Sequence, residues 1–258
     1  MKIQLLPSTF DGRGGVSQEQ RLTSYLIDDR VAVDAGSLAI GLTPPQRAAV
    51  RDVIITHAHM DHVATLPIFI DDLFSSLTEP VRVHAPEEII FLLERDVFNW
   101  SIYPHFFELH NGRTKVLEYV PIRPDEEFAV AHLRMTAVYV NHTVPTVGLI
   151  VTDGTSTVVF TSDTAPTDEL WETANRRPKI DAVLIEASLP DEMAGFARTT
   201  GHLTPATLAE EVCKVRHKDF DVLAVHIKPN HRAEVMRQLA ALAHPRVSAM
   251  EPGREYNF

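Results

Sequence analysis

Residues 56–62 read Thr-His-Ala-His-Met-Asp-His, directly after the apolar, β-branched run Val53-Ile54-Ile55 and directly before a segment with helical spacing. The run predicts a strand and the segment a helix, so the motif occupies the tight loop between them. Such a loop lets His57 and His59 converge on one cation while Asp61 and His62 turn toward a second. Imidazole nitrogens and carboxylate oxygens suit Zn²⁺ and similar borderline metals. The plain alternative is a histidine-rich surface loop, but that leaves four ligand-type side chains behind a buried strand unexplained.

Three later positions supply the missing ligands. His142 follows the strand Ala137–Val140, Asp163 follows Val158–Thr161, and His226 ends Val222–Val225. All three sit at the C-terminal ends of strands, where α/β proteins gather functional groups. Taken singly, each is as well read as a capping or core residue; with the 56–62 cluster they read as one site.

The rest of the chain alternates strands and helices. Strands are predicted at Ser24–Ile27, Arg30–Asp34, Val53–Thr56, Val81–His84, Leu117–Ile122, Phe128–Val140, Thr146–Thr152, Thr157–Thr161, Ala182–Glu186 and Val222–His226. Asp28-Asp29 and Asp153-Gly154 supply hairpin turns. Helices are predicted from Pro44 to Arg51, Val63 to Leu77, Glu87 to Phe98, Thr167 to Asn175, Thr204 to Val215 and His231 to Leu242. The order predicts an α/β sandwich of two related halves, with no linker and no domain boundary, so that residues 1–258 form one domain.

Composition removes several alternatives. The single cysteine, Cys213, excludes a disulfide scaffold and a thiolate zinc cluster. With 24 Lys+Arg against 35 Asp+Glu, the formal charge is −11, and no basic face for a long nucleic acid is evident. No apolar run approaches the ~20 residues of a membrane span, and the N-terminal stretch does not read as a signal peptide. A cytoplasmic protein that binds neither membrane nor long nucleic acid is the expectation.

The motif His57-x-His59-x-Asp61-His62 is the signature of the metallo-β-lactamase superfamily, which the chain resembles. Gly14-Gly15, Ser24–Ile27, Asp34–Leu38, Phe98–Pro104, Gly201–Thr204 and His226–Pro229 resemble, more narrowly, the class II 3′,5′-cyclic nucleotide phosphodiesterases, over residues 12 to 240. The resemblance implies a four-layer αββα sandwich, two mixed sheets flanked by helices. It implies two divalent metal ions, zinc first, with manganese or iron also compatible. His57, His59 and His142 are then ligands of one ion, Asp61, His62 and His226 of the other, and Asp163 the bridging carboxylate. Asp34 would orient the ligand loop, or else be a strand-end turn residue. Met60 stands where the family usually has Leu, and Thr65 where it has Gly.

The implied reaction is hydrolysis of cyclic AMP or cyclic GMP to the 5′-nucleotide, by attack of a metal-activated hydroxide on phosphorus. Two divalent ions against Asp61 and Asp163 leave the centre positive, which suits a phosphodiester anion in an acidic protein. His202 is the candidate general acid, with a helix-flanking role as its alternative; Glu186 is placed to orient it. The aromatic stretch Phe98, Trp100, Tyr103, Phe106 and Phe107 either stacks a purine or forms a hydrophobic cap or dimer contact. Asn99 and His105 lie in the same stretch. A small cyclic nucleotide is the expected partner, with a homodimer compatible.

A tRNA 3′-processing endonuclease of the same fold is the alternative. Such enzymes often carry a basic arm between the equivalents of His142 and Asp163, and the 20 residues between them here hold no Lys or Arg.

Overall fold

Each hydrophobic strand alternates its side chains between two buried faces, and that pattern sets the architecture. The computed structural model describes residues 1–242 and 246–258; residues 243–245 of the expected single domain lie outside this description. The first sheet is built from β1 (Lys2–Leu5), β2 (Tyr25–Ile27), β3 (Val31–Val33), β4 (Asp52–Ile54), β5 (Val81–Ala85) and β6 (Leu117–Pro121). The second holds β7 (Glu127–Val130), β8 (Leu133–Tyr139), β9 (Val147–Thr152), β10 (Thr157–Phe160), β11 (Ala182–Glu186), β12 (Asp221–Val225) and β13 (Val247–Ala249). The last strand, β14 (Glu255–Asn257), returns to the first sheet and pairs antiparallel with β1. The orders are β14-β1-β2-β3-β4-β5-β6 and β13-β12-β11-β10-β9-β8-β7.

Both sheets are mixed. In the first, β3 through β6 run parallel while β14, β1, β2 and β3 pair antiparallel. In the second, β10 through β13 run parallel and β7 through β10 antiparallel. Val31, Val33, Val158, Phe160, Leu184 and Leu223 point into the core between the sheets, where Tyr25 and Phe160 meet edge to face at 5.4 Å. Their neighbours Ala32, Val159, Val183 and Val222 face outward onto helices. This period of two, apolar on both faces, is what a buried strand requires.

Helices cover both outer faces. Over the first sheet lie α1 (Leu38–Gly41), α2 (Pro44–Ala49), α3 (Met60–Val63), α4 (Leu66–Leu73) and α5 (Glu87–Asp96), and Leu38, Leu66, Phe69 and Leu93 bury against it. On the second are α6 (Glu169–Ala174), α7 (Ala194–Thr200), α8 (Pro205–Val212) and α9 (Arg232–Ala241), with Leu170, Trp171, Leu208 and Val235 packed beneath. The result is the expected four-layer αββα sandwich. Among the described residues, no helix is long and apolar enough to cross a membrane.

The structure departs from the sequence expectations at definite places. The helix predicted over Val63–Leu77 forms only as α4, and the short helix α3 before it takes up Asp61 and His62, so the 56–62 motif expected wholly in a loop ends on a helix. Pro67 offers no N–H to the preceding turn, and the Thr65 backbone leaves helical geometry. The Thr65 hydroxyl donates to the Ala35 carbonyl at 2.9 Å and accepts from Ala39 N–H at 3.0 Å. With φ −105°, this position makes no demand for glycine, so the side chain here ties the helix start to the loop after β3. The helix expected from Thr167 starts at Glu169, and the one expected to reach Val215 ends at Val212. Strands β1, β13 and β14 and helices α1 and α7 have no counterpart in the sequence expectations, and the run Phe128–Val140 folds as the antiparallel pair β7 and β8.

Candidate metal centre

Parallel pairing of β10, β11 and β12, and two successive antiparallel pairings through β9 that bring in β8, run these four strands in one direction, so their C-terminal ends share one rim of the second sheet. His142, Asp163, Glu186 and His226 lie at that rim. Strand β4 of the first sheet delivers residues 56–62, and β3 beside it delivers Asp34. The seven side chains expected to ligate metal come together there. His57, His59 and His142 form one group of converging donors, and Asp61, His62, Asp163 and His226 a second, each within 4.8 Å.

Asp163 lies between the groups. Its Oδ1 is 3.4 Å from His62 Nε2 and 3.4 Å from His226 Nδ1, while its Oδ2 is 3.8 Å from His57 Nε2. His142 Nε2 is 3.2 Å from His59 Nδ1, and His226 Nε2 is 3.2 Å from Asp61 Oδ2.

The outer hydrogen bonds decide which ring nitrogens face inward. Asp34 accepts Thr56 N–H at 2.8 Å, the Thr56 hydroxyl at 2.9 Å, and His62 Nδ1–H at 2.7 Å. With its own proton given to Asp34, Thr56 Oγ1 accepts from Ser162 at 2.8 Å and from His57 Nδ1–H at 3.1 Å. His142 donates Nδ1–H to the Gly201 carbonyl at 2.8 Å. His57, His62 and His142 therefore each commit Nδ1 outward and leave Nε2 for the cluster, the arrangement seen for ligating histidines. His57 Nε2 is buried and has no hydrogen-bond partner among the described residues. Such a lone pair in a dry site is costly unless a cation takes it up, so the donor set fits the divalent ions the fold implies.

Electrostatics agree with that fit at His57, His59 and His142, while His62, between two carboxylates, holds a proton that a cation would have to displace. Burial, with help from neighbouring His62, pushes the His57 imidazole well below its ordinary pKa, and burial lowers His59 and His142 as well. All three offer lone pairs at neutral pH. Burial alone would raise the carboxyls of Asp61 and Asp163, but the surrounding histidines, His226 foremost, hold both well below the carboxylate range. His62 is driven down by burial and lifted well above its ordinary value by Asp163 and Asp34 on either side.

Two glycines make the approach possible. A Cβ on Gly36 would lie 1.9 Å from the Asp61 carbonyl oxygen, where the chain after β3 crosses the ligand loop. Gly201 has φ +73°, and a Cβ there would meet His142 Nδ1 at 2.7 Å. Asp34, Ser162 and His226 also hold positive φ, at 60°, 57° and 55°. Non-glycine residues in this region cost ~1–3 kcal/mol each and cluster where function demands a fixed direction.

His202 and Glu186 form a dyad beside the cluster. His202 Nδ1 lies 3.0 and 3.1 Å from the two Glu186 oxygens and 4.0 Å from Asp163 Oδ2. Glu186 is fully buried and accepts from Thr164 N–H at 2.6 Å, Leu203 N–H at 3.1 Å and the Ser188 hydroxyl at 2.6 Å. Burial lowers the His202 pKa, and the Glu186 carboxylate outweighs it, raising the imidazole above its ordinary value.

Sequence reasoning gave no role to Ser188, Ser162 or Lys228. Ser188 gives its proton to Glu186 and lies 2.9 Å from His226 Nδ1, tying the dyad to the second group. Lys228 Nζ is 3.0 Å from Asp61 Oδ2 and 3.2 Å from His226 Nε2. Its place two residues after a strand-end histidine was the available signal.

The aromatic stretch divides. Phe98 and Phe106 are buried in the outer core of the first sheet, as the hydrophobic-cap alternative requires, with rings 5.8 Å apart. Phe107 stacks on Tyr119 of β6 at 5.7 Å, and Tyr103 reaches Asp71 at 3.4 Å. Asn99 closes a turn by accepting from Ser101 and Ile102, and His105 pairs with Glu108. Trp100 is left 61% exposed.

Residues 29–228 match the family described as the beta-lactamase superfamily domain. A probable 3′,5′-cyclic-nucleotide phosphodiesterase of Yersinia pestis is 25% identical, covering 84% of this chain and 76% of the relative. A ribonuclease Z of Pyrobaculum calidifontis is 26% identical, with 94% of each chain covered. Unliganded yeast PDE1 shares the fold with a TM-score of 0.77 at 16% identity, over 98% of each chain. The family match spans most of the chain and the fold agrees with it: the protein belongs to the metallo-β-lactamase superfamily and is a metal-dependent hydrolase.

Proposed function

We propose that the protein is a phosphodiesterase that opens 3′,5′-cyclic nucleotides to 5′-nucleotides. The Glu186–His202 dyad set 4.0 Å from Asp163, at the edge of seven converging His and Asp donors, supports phosphodiester hydrolysis, a pattern that tRNA 3′-processing endonucleases of this fold share. The observation that favours a cyclic nucleotide over tRNA is the short β9–β10 hairpin without a basic arm. In this reading His57, His59 and His142 hold one divalent ion, Asp61, His62 and His226 the other, and Asp163 lies between them. When bound, the ions supply Lewis-acid charge at phosphorus and bring the pKa of water near neutrality, with zinc the first choice and manganese or iron compatible with the same donors.

The chain's own residues do the rest. Breaking a P–O bond to an alkoxide requires a proton at the leaving oxygen. His202, held by buried Glu186 with Nδ1 committed, is the group that delivers it. Asp34, through Thr56 and His62, keeps the ligand loop in one orientation. Lys228 adds a cation beside Asp61, on the side where a phosphodiester anion would lie.

Processing of tRNA 3′ ends is the second reading, favoured by the ribonuclease Z relative matched over 94% of each chain. Against it stands the segment between His142 and Asp163. It folds as the β9–β10 hairpin, with the short turn Asp153–Ser156 and no basic arm. Metal-loaded protein incubated with cyclic AMP, cyclic GMP and a tRNA precursor bearing a 3′ trailer separates the two. The proposal expects 5′-AMP or 5′-GMP and an intact precursor; trailer cleavage without nucleotide opening would replace it with the second reading.

A further inference from the structure

We propose that the cavity between α7 and the turn Pro229–His231, beside the metal centre, seats a purine base, and that Phe196 is the platform on which the base stacks; this rests on the cyclic-nucleotide reading above. The cavity is about 310 Å³, and its lining includes Arg21, Leu189, Phe196, His202, Lys228 and Asn230. That volume is at the lower end for small-molecule sites. It is placed where a substrate can extend, because His202 and Lys228 line its wall and also border the ligand cluster, at Asp163 and Asp61. A second cavity of about 180 Å³ shares Arg21, Lys228 and Pro229 and reaches His226. A nucleotide with its phosphate at the metal centre and its base against α7 would lie across these shared cations.

Phe196 is the feature that fits a base. It is 56% exposed on α7, where the buried side chain is Ala197, so it contributes little to the core. An aromatic face on the wall of a largely apolar cavity suits any nucleobase, since every base has a π-face. Asn230, exposed on the same cavity, offers both a donor and an acceptor for a base edge. The Phe98–Phe107 stretch competes poorly for the role: Phe98 and Phe106 are buried, Phe107 is already stacked on Tyr119, and the exposed Trp100 lines neither of the two cavities. Helix α7 also ends at Gly201, whose carbonyl holds His142. The base platform and the metal centre are therefore joined by one short helix.

The test uses two readouts on wild type, F196A and F196Y. Adenosine binding to the metal-loaded protein, followed by calorimetry, reports the pocket without turnover, since adenosine carries no phosphodiester. The KM and kcat for cyclic AMP report it during turnover. F196A should weaken adenosine binding and raise the KM for cyclic AMP about 5- to 150-fold, the range for losing one stacked base, with a smaller change in kcat. F196Y, which keeps the ring, should recover most of both. If F196A leaves both the adenosine affinity and the KM unchanged while wild type opens cyclic AMP, the pocket assignment is wrong and the activity stands. If wild type opens no cyclic nucleotide yet binds adenosine in a Phe196-dependent way, the pocket stands and the activity assignment fails. A wild type that does neither overturns both.

Discussion

Asp34 makes three hydrogen bonds with two oxygens, and through them it determines which nitrogens of His57 and His62 face the cluster. D34N separates this role from the backbone, because asparagine tolerates the left-handed conformation that Asp34 holds at φ 60°. The amide cannot accept from Thr56 and His62 on both sides, so His62 loses its orienting partner. The expected result is a 10- to 100-fold loss of metal affinity, measured by chelator competition, with the fold retained by circular dichroism. An affinity within 2-fold of wild type would show that Asp34 is the strand-end turn residue of the alternative reading. The ligands were legible at this scale because ligand chemistry is written in residue type: three histidines and an aspartate in six positions have few other uses. Ser188, Ser162 and Lys228 were not, since a serine acquires its role only from what surrounds it after folding.

At the scale of elements, β4 and β5 show how pairing register places charges. Asp52 lies opposite Arg82 in the ladder, receives both guanidinium contacts at 2.7 and 2.9 Å, and is 2.9 Å from His84 Nε2. Burial raises the Asp52 carboxyl, but Arg82 and His84 outweigh it and hold the group well below the usual carboxylate range. A folded pKa below the unfolded one adds stability that is present above pH ~4 and is lost as pH falls toward the folded value. D52N should therefore cost ~1–3 kcal/mol in urea unfolding at pH 7, and the gap to wild type should narrow steadily below pH 4. A gap independent of pH would contradict the assignment. Long, evenly patterned elements such as β9 to β12 were legible, because burial on both faces imposes near-continuous apolar runs. Three-residue strands such as β13 and β14 carry too short a pattern, and their pairing is set by distant chain. Helix α7, with Gly195 and paired threonines, has weak helical propensity and ends on a left-handed glycine. The break between α3 and α4 was announced by Pro67 and masked by the apolar spacing that continues through it.

At the scale of the molecule, the two seven-stranded sheets each contribute strand ends to one rim, and the site exists only where they meet. His57, His59, Asp61 and His62 come from the first sheet; His142, Asp163 and His226 come from the second. The four-layer architecture followed from the order of elements together with the family resemblance, whereas the sheet orders and the return of β14 to β1 depend on pairings no local pattern records. The central claim is that these two sets of side chains enclose a pair of ions. Anomalous-scattering diffraction from crystals grown with zinc measures it most directly. Two peaks ~4 Å apart are expected, one against His57, His59 and His142, the other against Asp61, His62 and His226, with Asp163 between them. Crystals fully loaded with zinc whose peaks lie away from these side chains, or that show a single peak served by only one of the two sheets, would contradict it.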